Sequence, residues 1–205
     1  MAAEIIEGQR SPGDDLNSVE LSRRFHTSRT PIREALMLLE KEGLVQIPPR
    51  RRPRVASLAM EEVREIYQAR AALFDLIATA VARNASTNEI AGLRAPLSDM
   101  VRAFRDHDLN TFVWANVDFY DRNTQLANNR TVKRILDSLL LRTLRLRRLS
   151  LSQPSRMQAS LDDNTRLLKA YENRDATLAA ALIRSNHMNA LAALEKCFPP
   201  QERHG

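Results

Sequence analysis

Apolar residues along the chain follow two rhythms, and the change between them divides the sequence. In the first quarter, Ile32, Ala35, Leu36 and Leu39 recur at the i, i+3, i+4, i+7 spacing of a helix with one buried face, and Arg29 and Arg33 stand one turn apart on the opposite side. Pro31 suits the first turn of this helix, Thr30 and Ser28 are both credible caps, and Gly43 ends it. Upstream, Asn17 with Glu20 three residues on marks the start of a short helix whose apolar side is Val19, Leu21 and Phe25. His26-Thr27-Ser28 is a turn of the length that joins two such helices. After Gly43 the period shortens to that of strands: Leu44-Val45-Gln46-Ile47, a turn through Pro48-Pro49-Arg50-Arg51-Arg52-Pro53, then Arg54-Val55-Ala56. The predicted layout over residues 1–57 is a winged helix-turn-helix with a basic wing tip.

Beyond Ser57 glycine all but vanishes, leaving Gly92 and the terminal Gly205, and Ala/Leu/Arg-rich segments of helical period take over. Helices are predicted at about 60–84, 87–105, 108–127, 131–151, 156–173 and 175–196, so residues 58–198 read as an all-α bundle and 199–205 as a frayed tail. The fold class is therefore mainly α. The stretch 131–151 is apolar on more than one side: Val132, Ile135, Leu136, Leu139 and Leu146 make one face, while Leu140, Leu141, Leu144 and Leu149 lie between Arg142, Arg145, Arg147 and Arg148. Either its own domain wraps it or it contributes to a dimer surface. Its arginines are expected to be solvated or paired with acids.

Charge adds a partner. A formal net charge of +6 over 205 residues suits a polyanion. An α-helix fits the major groove of DNA, where an arginine can hydrogen-bond the O6 and N7 edge of guanine, and a basic wing can reach an adjacent groove or the backbone. Helix, turn and wing together favour this over ordinary solvation of Arg29 and Arg33, although either arginine could meet a base or a phosphate. A single cysteine, Cys197, read as a small buried hydrophobe, argues for a reducing compartment without disulfides. With no apolar run near the ~18 residues of a membrane span and no signal peptide, the expected location is cytoplasmic, with no membrane partner. An enzyme is not expected, since there is no Gly-rich phosphate loop, no metal cluster with intact spacing and no nucleophile with an evident base.

Ile6-x-Gly8-x-x-x-Pro12-Gly13-x-x-Leu16, then Ser28-Arg29-Thr30-Pro31-Ile32-Arg33-Glu34-Ala35-Leu36, then Glu42-Gly43-Leu44-Val45 resemble the DNA-binding domain of GntR-family bacterial transcription regulators over nearly all of residues 4–56. The resemblance implies that Arg29 and Arg33 read an operator, that Ser28 and Thr30 help on bases or phosphates, and that the wing tip, Arg50, Arg51 and Arg52, enters the minor groove. Two departures stand out. The family usually carries a glycine in the wing where this chain runs Arg51-Arg52-Pro53, and the chain opens only a few residues before Ile6, which leaves the family's first helix short or absent. Further on, Glu62-Val63-x-Glu65-Ile66-Tyr67-x-x-Arg70-x-x-Leu73, Phe119, Asn129 and the Arg174-Asp175-Ala176 turn resemble the effector domain of the FadR subgroup, the FCD type.

Polar residues that interrupt the apolar stripes point independently to a ligand site. Arg70 stands amid Val63, Ile66, Tyr67, Leu73, Phe74 and Ile77; Asn116, Tyr120 and Asn123 share a face with Phe112 and Phe119; Asn164 lies between Leu161 and Leu168; Asn186 and His187 lie among Ala179, Leu182, Ile183, Ala190 and Leu194. Helices that each aim a polar group inward are what a cavity within a bundle requires. The resembled family often holds a divalent metal there through an aspartate and three histidines, and those places fall on Asn116, Tyr120, Asn164 and His187. Only His187 is a strong ligand, so the metal is expected to be lost and no cofactor retained. Arg70 is then the residue best suited to hold a carboxylate or phosphate of an unknown small organic effector. The function implied is that of a metabolite-responsive repressor, binding near-palindromic double-stranded DNA as a homodimer. The alternative is a constitutive or architectural DNA-binding protein without an effector.

Overall fold

The computed structural model describes residues 1–198, which form two compact units: Met1–Ala59 together with Ser138–Leu146, and Met60–Asp137 together with Arg147 onward. The tail assigned to 199–205 lies outside the described residues.

In the first unit α1 (Ala2–Ile6), α2 (Ser18–Arg24) and α3 (Arg29–Lys41) precede a hairpin of β1 (Val45–Gln46) and β2 (Arg54–Val55). Its core is Ile5, Leu16, Leu21, Ile32, Leu36 and Val55, all nearly inaccessible. Asn17 caps α2, its side-chain oxygen accepting from the Val19 N–H at 2.9 Å. Of the two caps left open for α3, the structure selects Ser28, which is extended but makes no side-chain cap bond, so Pro31 is the third helical residue. Gly43 follows α3 with φ +74, a left-handed conformation that costs an L side chain about 1–2 kcal/mol. The hairpin is shorter than expected, pairing only Val45 with Val55 and Gln46 with Arg54, and an isolated bridge from Asp15 to Arg54 lengthens it on the other side. Phe25, expected on the apolar side of α2, is 41 % exposed because the chain turns at His26, and the Arg24 guanidinium lies 5.5 Å from its ring centroid. In α1 Glu4 receives hydrogen bonds from Arg10 and Arg24, which hold its carboxyl below the usual range.

The second unit comprises α4 (Met60–Asn84), α5 (Thr87–Ala91), α6 (Arg94–Arg105), α7 (Leu109–Leu126), α8 (Arg130–Ser138), α10 (Arg156–Glu172) and α11 (Ala176–Glu195), while α9 (Leu140–Leu151) divides its residues between the units. α4 packs chiefly on α11, α6 on α7 and α10 on α11. Phe74, Ile77, Phe112, Phe119, Tyr171 and Ile183 lie at the centre.

Two expected helices are each broken. The segment 87–105 stops at Gly92 and restarts at Arg94, because Pro96 has no N–H and its ring would meet the carbonyl four residues back. The Gly92 carbonyl instead accepts from Arg122 at 3.4 Å. The segment 131–151 breaks at Leu139 into α8, which buries Val132 and Leu136, and α9, which buries Leu144 and Leu146. Ile135, expected in the core, is 43 % exposed, whereas Leu144, expected on an outer side, is buried. Part of this stretch groups with the first unit, where Arg145 donates to the Ala56 carbonyl at 2.9 Å. Cys197 is only partly buried, its thiol donating to the Ala193 carbonyl.

Candidate functional site

The groove-reading candidates all lie on the surface of the first unit. Ile32 and Leu36 anchor α3 inward, and the 3.6-residue period then places Ser28, Arg29, Thr30 and Arg33 in solvent. Glu40 of the same helix accepts from the Ile47 N–H at 2.8 Å, tying the wing to α3. At the wing tip Arg50 takes φ +59, so the left-handed position that a glycine would fill without strain is here filled by an arginine. Arg51 and Arg52 are exposed beside it, Arg52 at 3.7 Å from the Asp15 carboxylate. Five guanidinium groups thus decorate one helix and one hairpin, the charge pattern that phosphate and guanine-edge contacts need.

In the second unit the inward polar residues gather around two aromatic rings. Phe74 meets Tyr120 edge-on at 5.1 Å between centroids and stacks on His187 at 4.7 Å; Tyr120 and His187 are 5.4 Å apart. The Arg70 guanidinium sits 5.2 Å from the Phe74 centroid, and burial lowers its pKa to about 10, helped by the charge of Arg147. Burial pushes the Tyr120 hydroxyl up to about 12. His187 bonds the Ile183 carbonyl through Nδ1 at 2.8 Å, so Nδ1 carries the proton and, in the neutral ring, Nε2 is left as an acceptor. Burial, then the charge of Arg70, drives its pKa well below the ordinary histidine value. Asn164 is buried, its Nδ2 donating to Ser160 Oγ at 3.5 Å and to the Met100 sulfur at 3.9 Å, and its Oδ1 has no partner among the described residues.

Asn123 does not join this group. Tyr171 donates to its Oδ1 at 2.6 Å and its Nδ2 donates to the Phe119 carbonyl at 2.7 Å, so its amide serves the core rather than a ligand.

Two arginines belong here that sequence reasoning missed. Arg147, expected to be solvated or acid-paired, reaches inward: its stem is partly exposed, but its guanidinium is enclosed, 5.0 Å from the Tyr120 centroid and donating to Asn116 Oδ1 at 2.6 Å. Arg156, the first residue of α10, is 6 % exposed and donates through Nη2 to the backbone and side-chain oxygens of Asn186 at 3.1 and 3.0 Å. Burial lowers the pKa of both. The available signal was weak: a break at Leu139 would have rotated Arg147 off the solvated face, and nothing in the local pattern of α10 separates Arg156 from an ordinary helix-start residue.

The donor set suits a divalent cation poorly. The oxygen of Asn116 is already engaged by a guanidinium, Tyr120 is a phenol held protonated by burial, and three arginines would repel a metal at this place. Among the described residues no group of three or more His, Cys, Asp or Glu is placed to hold a metal ion. Nor, among them, is any helix long and apolar enough to cross a membrane.

Comparison with known proteins agrees with both units. Residues 1–55 match the bacterial regulatory proteins of the gntR family, and residues 65–190 match the FCD domain. The chain is 29 % identical over 188 residues to the uncharacterized HTH-type transcriptional regulator YdhC of Bacillus subtilis (strain 168), covering 89 % of this chain and 83 % of that protein. It is 27 % identical over 172 residues to the HTH-type transcriptional repressor RspR of Escherichia coli (strain K12), covering 84 % and 75 %. The solved structure of E. coli McbR/YncC shares the fold, with a TM-score of 0.79 at 21 % identity over 97 % of this chain and 94 % of that one. A winged head and an all-helical FCD unit, both recognised as such, place this chain in the GntR family of bacterial regulatory proteins, as a DNA-binding transcription regulator.

Proposed function

We propose that this regulator is a cytoplasmic repressor that binds a near-palindromic operator as a homodimer and releases it when a small organic acid enters the helical unit. In this reading Arg29 and Arg33, assisted by Ser28 and Thr30, reach base edges or phosphates in the major groove, and Arg50, Arg51 and Arg52 meet the adjacent minor groove and backbone. Two-fold symmetry in the protein demands matching half-sites in the DNA. Leu76, Trp114, Ile135 and Leu178 leave apolar surface on the helical unit, in keeping with a second copy covering part of it. The effector is held, without a metal, by Arg70, Asn116, Tyr120, Asn164 and His187. It shifts operator affinity only by the difference in its affinity for the DNA-competent and incompetent forms.

The observation that carries the reading is the exposure of Arg29 and Arg33 on a helix whose opposite face is locked by Ile32 and Leu36. The test is the double variant Arg29→Ala/Arg33→Ala. Each lost base contact is worth about 1–3 kcal/mol, so operator affinity falls about a hundredfold or more in a fluorescence-anisotropy titration while the circular dichroism is unchanged. Undiminished affinity of a folded double variant overturns it.

A further inference from the structure

The DNA-reading head is not built from consecutive residues alone. Ser138–Leu146, from far along the chain, groups with Met1–Ala59, whereas the rest of α9 groups with the helical unit. α9 is nonetheless one unbroken helix of 12 residues. Within the head its Arg145 donates through Nη1 to the Ala56 carbonyl at 2.9 Å, and the Ala56 N–H donates to the Leu44 carbonyl at 2.9 Å. Burial lowers the Arg145 pKa with no acid beside it to counter the effect, so this guanidinium is covered at a cost. Arg142, three residues back and so on the same side of the helix, lies against Gly43 so closely that a Cβ there would overlap its side chain. Gly43 ends α3 and Ala56 follows β2, so one side of α9 meets the roots of both the recognition helix and the wing.

The far end of the same helix belongs to the helical unit. Arg147 donates to Asn116 Oδ1 at 2.6 Å with its guanidinium over the Tyr120 ring, and Ser150 donates to the Ala190 carbonyl at 3.4 Å. Arg145 and Arg147, two residues apart, point about 200° from one another, because a helix turns by about 100° per residue. Bonds from each turn to the next keep so short a helix stiff, and a shift forced on Arg147 therefore carries Arg145 with it. The Asn116 amide nitrogen already donates to Ser160 at 3.4 Å and to the Met100 sulfur at 3.7 Å. A ligand that draws off the Arg147 guanidinium, or donates to the Asn116 oxygen in its place, frees this end of α9.

Resting on the effector reading above, we infer that α9 is a two-ended positioning element: Arg145 holds the root of the wing in the shape that reads an operator, and Arg147 makes that hold answer to the state of the Asn116 and Tyr120 site. Arg145 touches no DNA in this account. It acts through Ala56, which fixes where β2 leaves the hairpin and hence where Arg50, Arg51 and Arg52 are presented.

The test is a double-substitution cycle that needs no effector. The full chain, Arg145→Gln, Arg147→Gln and the two together are titrated by fluorescence anisotropy, over a range of salt, against the duplex that the parent enriches from a random library. Arg145→Gln is expected to weaken binding about fivefold or more while the circular dichroism is unchanged. The slope of log affinity against log salt stays as it was, because losing a phosphate contact lowers that slope by about one and losing a positioning residue does not. Arg147→Gln is expected to change affinity about fivefold or more in the parent, and less than about twofold once Arg145 is gone. Arg145→Lys, which keeps a charged donor, recovers part of the loss. Arg148→Gln, on the same helix but bonded to Asn110, leaves binding unchanged. Should Arg145→Gln fail to fold, Arg145→Lys takes its place in the cycle, with a smaller loss expected at the same salt slope. Affinity indifferent to Arg145, a slope that falls by about one, or an Arg147→Gln effect of equal size with and without Arg145 overturns the inference, and each leaves the roles of Arg29 and Arg33 intact. A cycle that couples as expected, in a protein whose operator affinity no small organic acid alters, upholds the positioning role of α9 and removes the effector.

Discussion

His187 illustrates how one buried residue links the helical unit to pH. Its ring is 4 % exposed, stacked on Phe74, and surrounded by Arg70, Arg147 and Arg156, so the folded chain resists protonating it. The unfolded chain protonates a histidine near pH 6.5. Below that pH the unfolded state therefore binds the extra proton, and stability falls as pH falls, by up to about 1.4 kcal/mol per unit for this group. Above it the contribution is fully present. Urea titrations between pH 7.5 and 5.5 are expected to show a steeper loss for the parent than for His187→Gln. Parallel curves would mean that the folded chain protonates His187 as readily as the unfolded chain does.

At the scale of elements, the shorter of two buried side-chain hydrogen bonds between α7 and α10 among the described residues runs from the Tyr171 hydroxyl to Asn123 Oδ1 at 2.6 Å, against 3.4 Å from Asn116 to Ser160, with Tyr171 fully buried. Replacing Tyr171 by phenylalanine keeps the ring and strands the amide oxygen, at a cost of about 1–3 kcal/mol. A melting temperature lower by several degrees, with operator binding at low temperature retained, is the expected result. An unchanged melting temperature would show that Asn123 finds another donor. The broken helices belong to this scale as well. Pro96 made the restart at Arg94 readable from local chemistry, whereas the break at Leu139 has no proline or glycine to mark it.

For the whole molecule, the proposed dimer sets the arithmetic of DNA binding. Light scattering is expected to return twice the 23.3 kDa chain mass at micromolar concentration. Scrambling one half-site should then cost nearly as much affinity as removing one head, and the salt dependence should fall in step as one head's phosphate contacts are lost. A monomeric mass, with full affinity for a single half-site, would remove the symmetric reading.

What the amino-acid order determined by itself was local. The 3.6-residue period of Ile32, Ala35, Leu36 and Leu39 is enough to put Arg29 and Arg33 outside, because opposite faces of a helix cannot both be buried against a small head. The same period found Arg70, Asn116, Tyr120, Asn164 and His187 on inward faces, and all five are buried. Only the tertiary structure decided that Asn123 spends its amide on Tyr171, that Arg147 turns inward from an arginine-rich helix, and that Arg156 is covered at the start of α10. Whether a polar side chain on a helix is solvated, satisfied or left for a ligand depends on which distant segments pack beside it. That placement is a property of the assembled helices, and no window of neighbouring residues contains it.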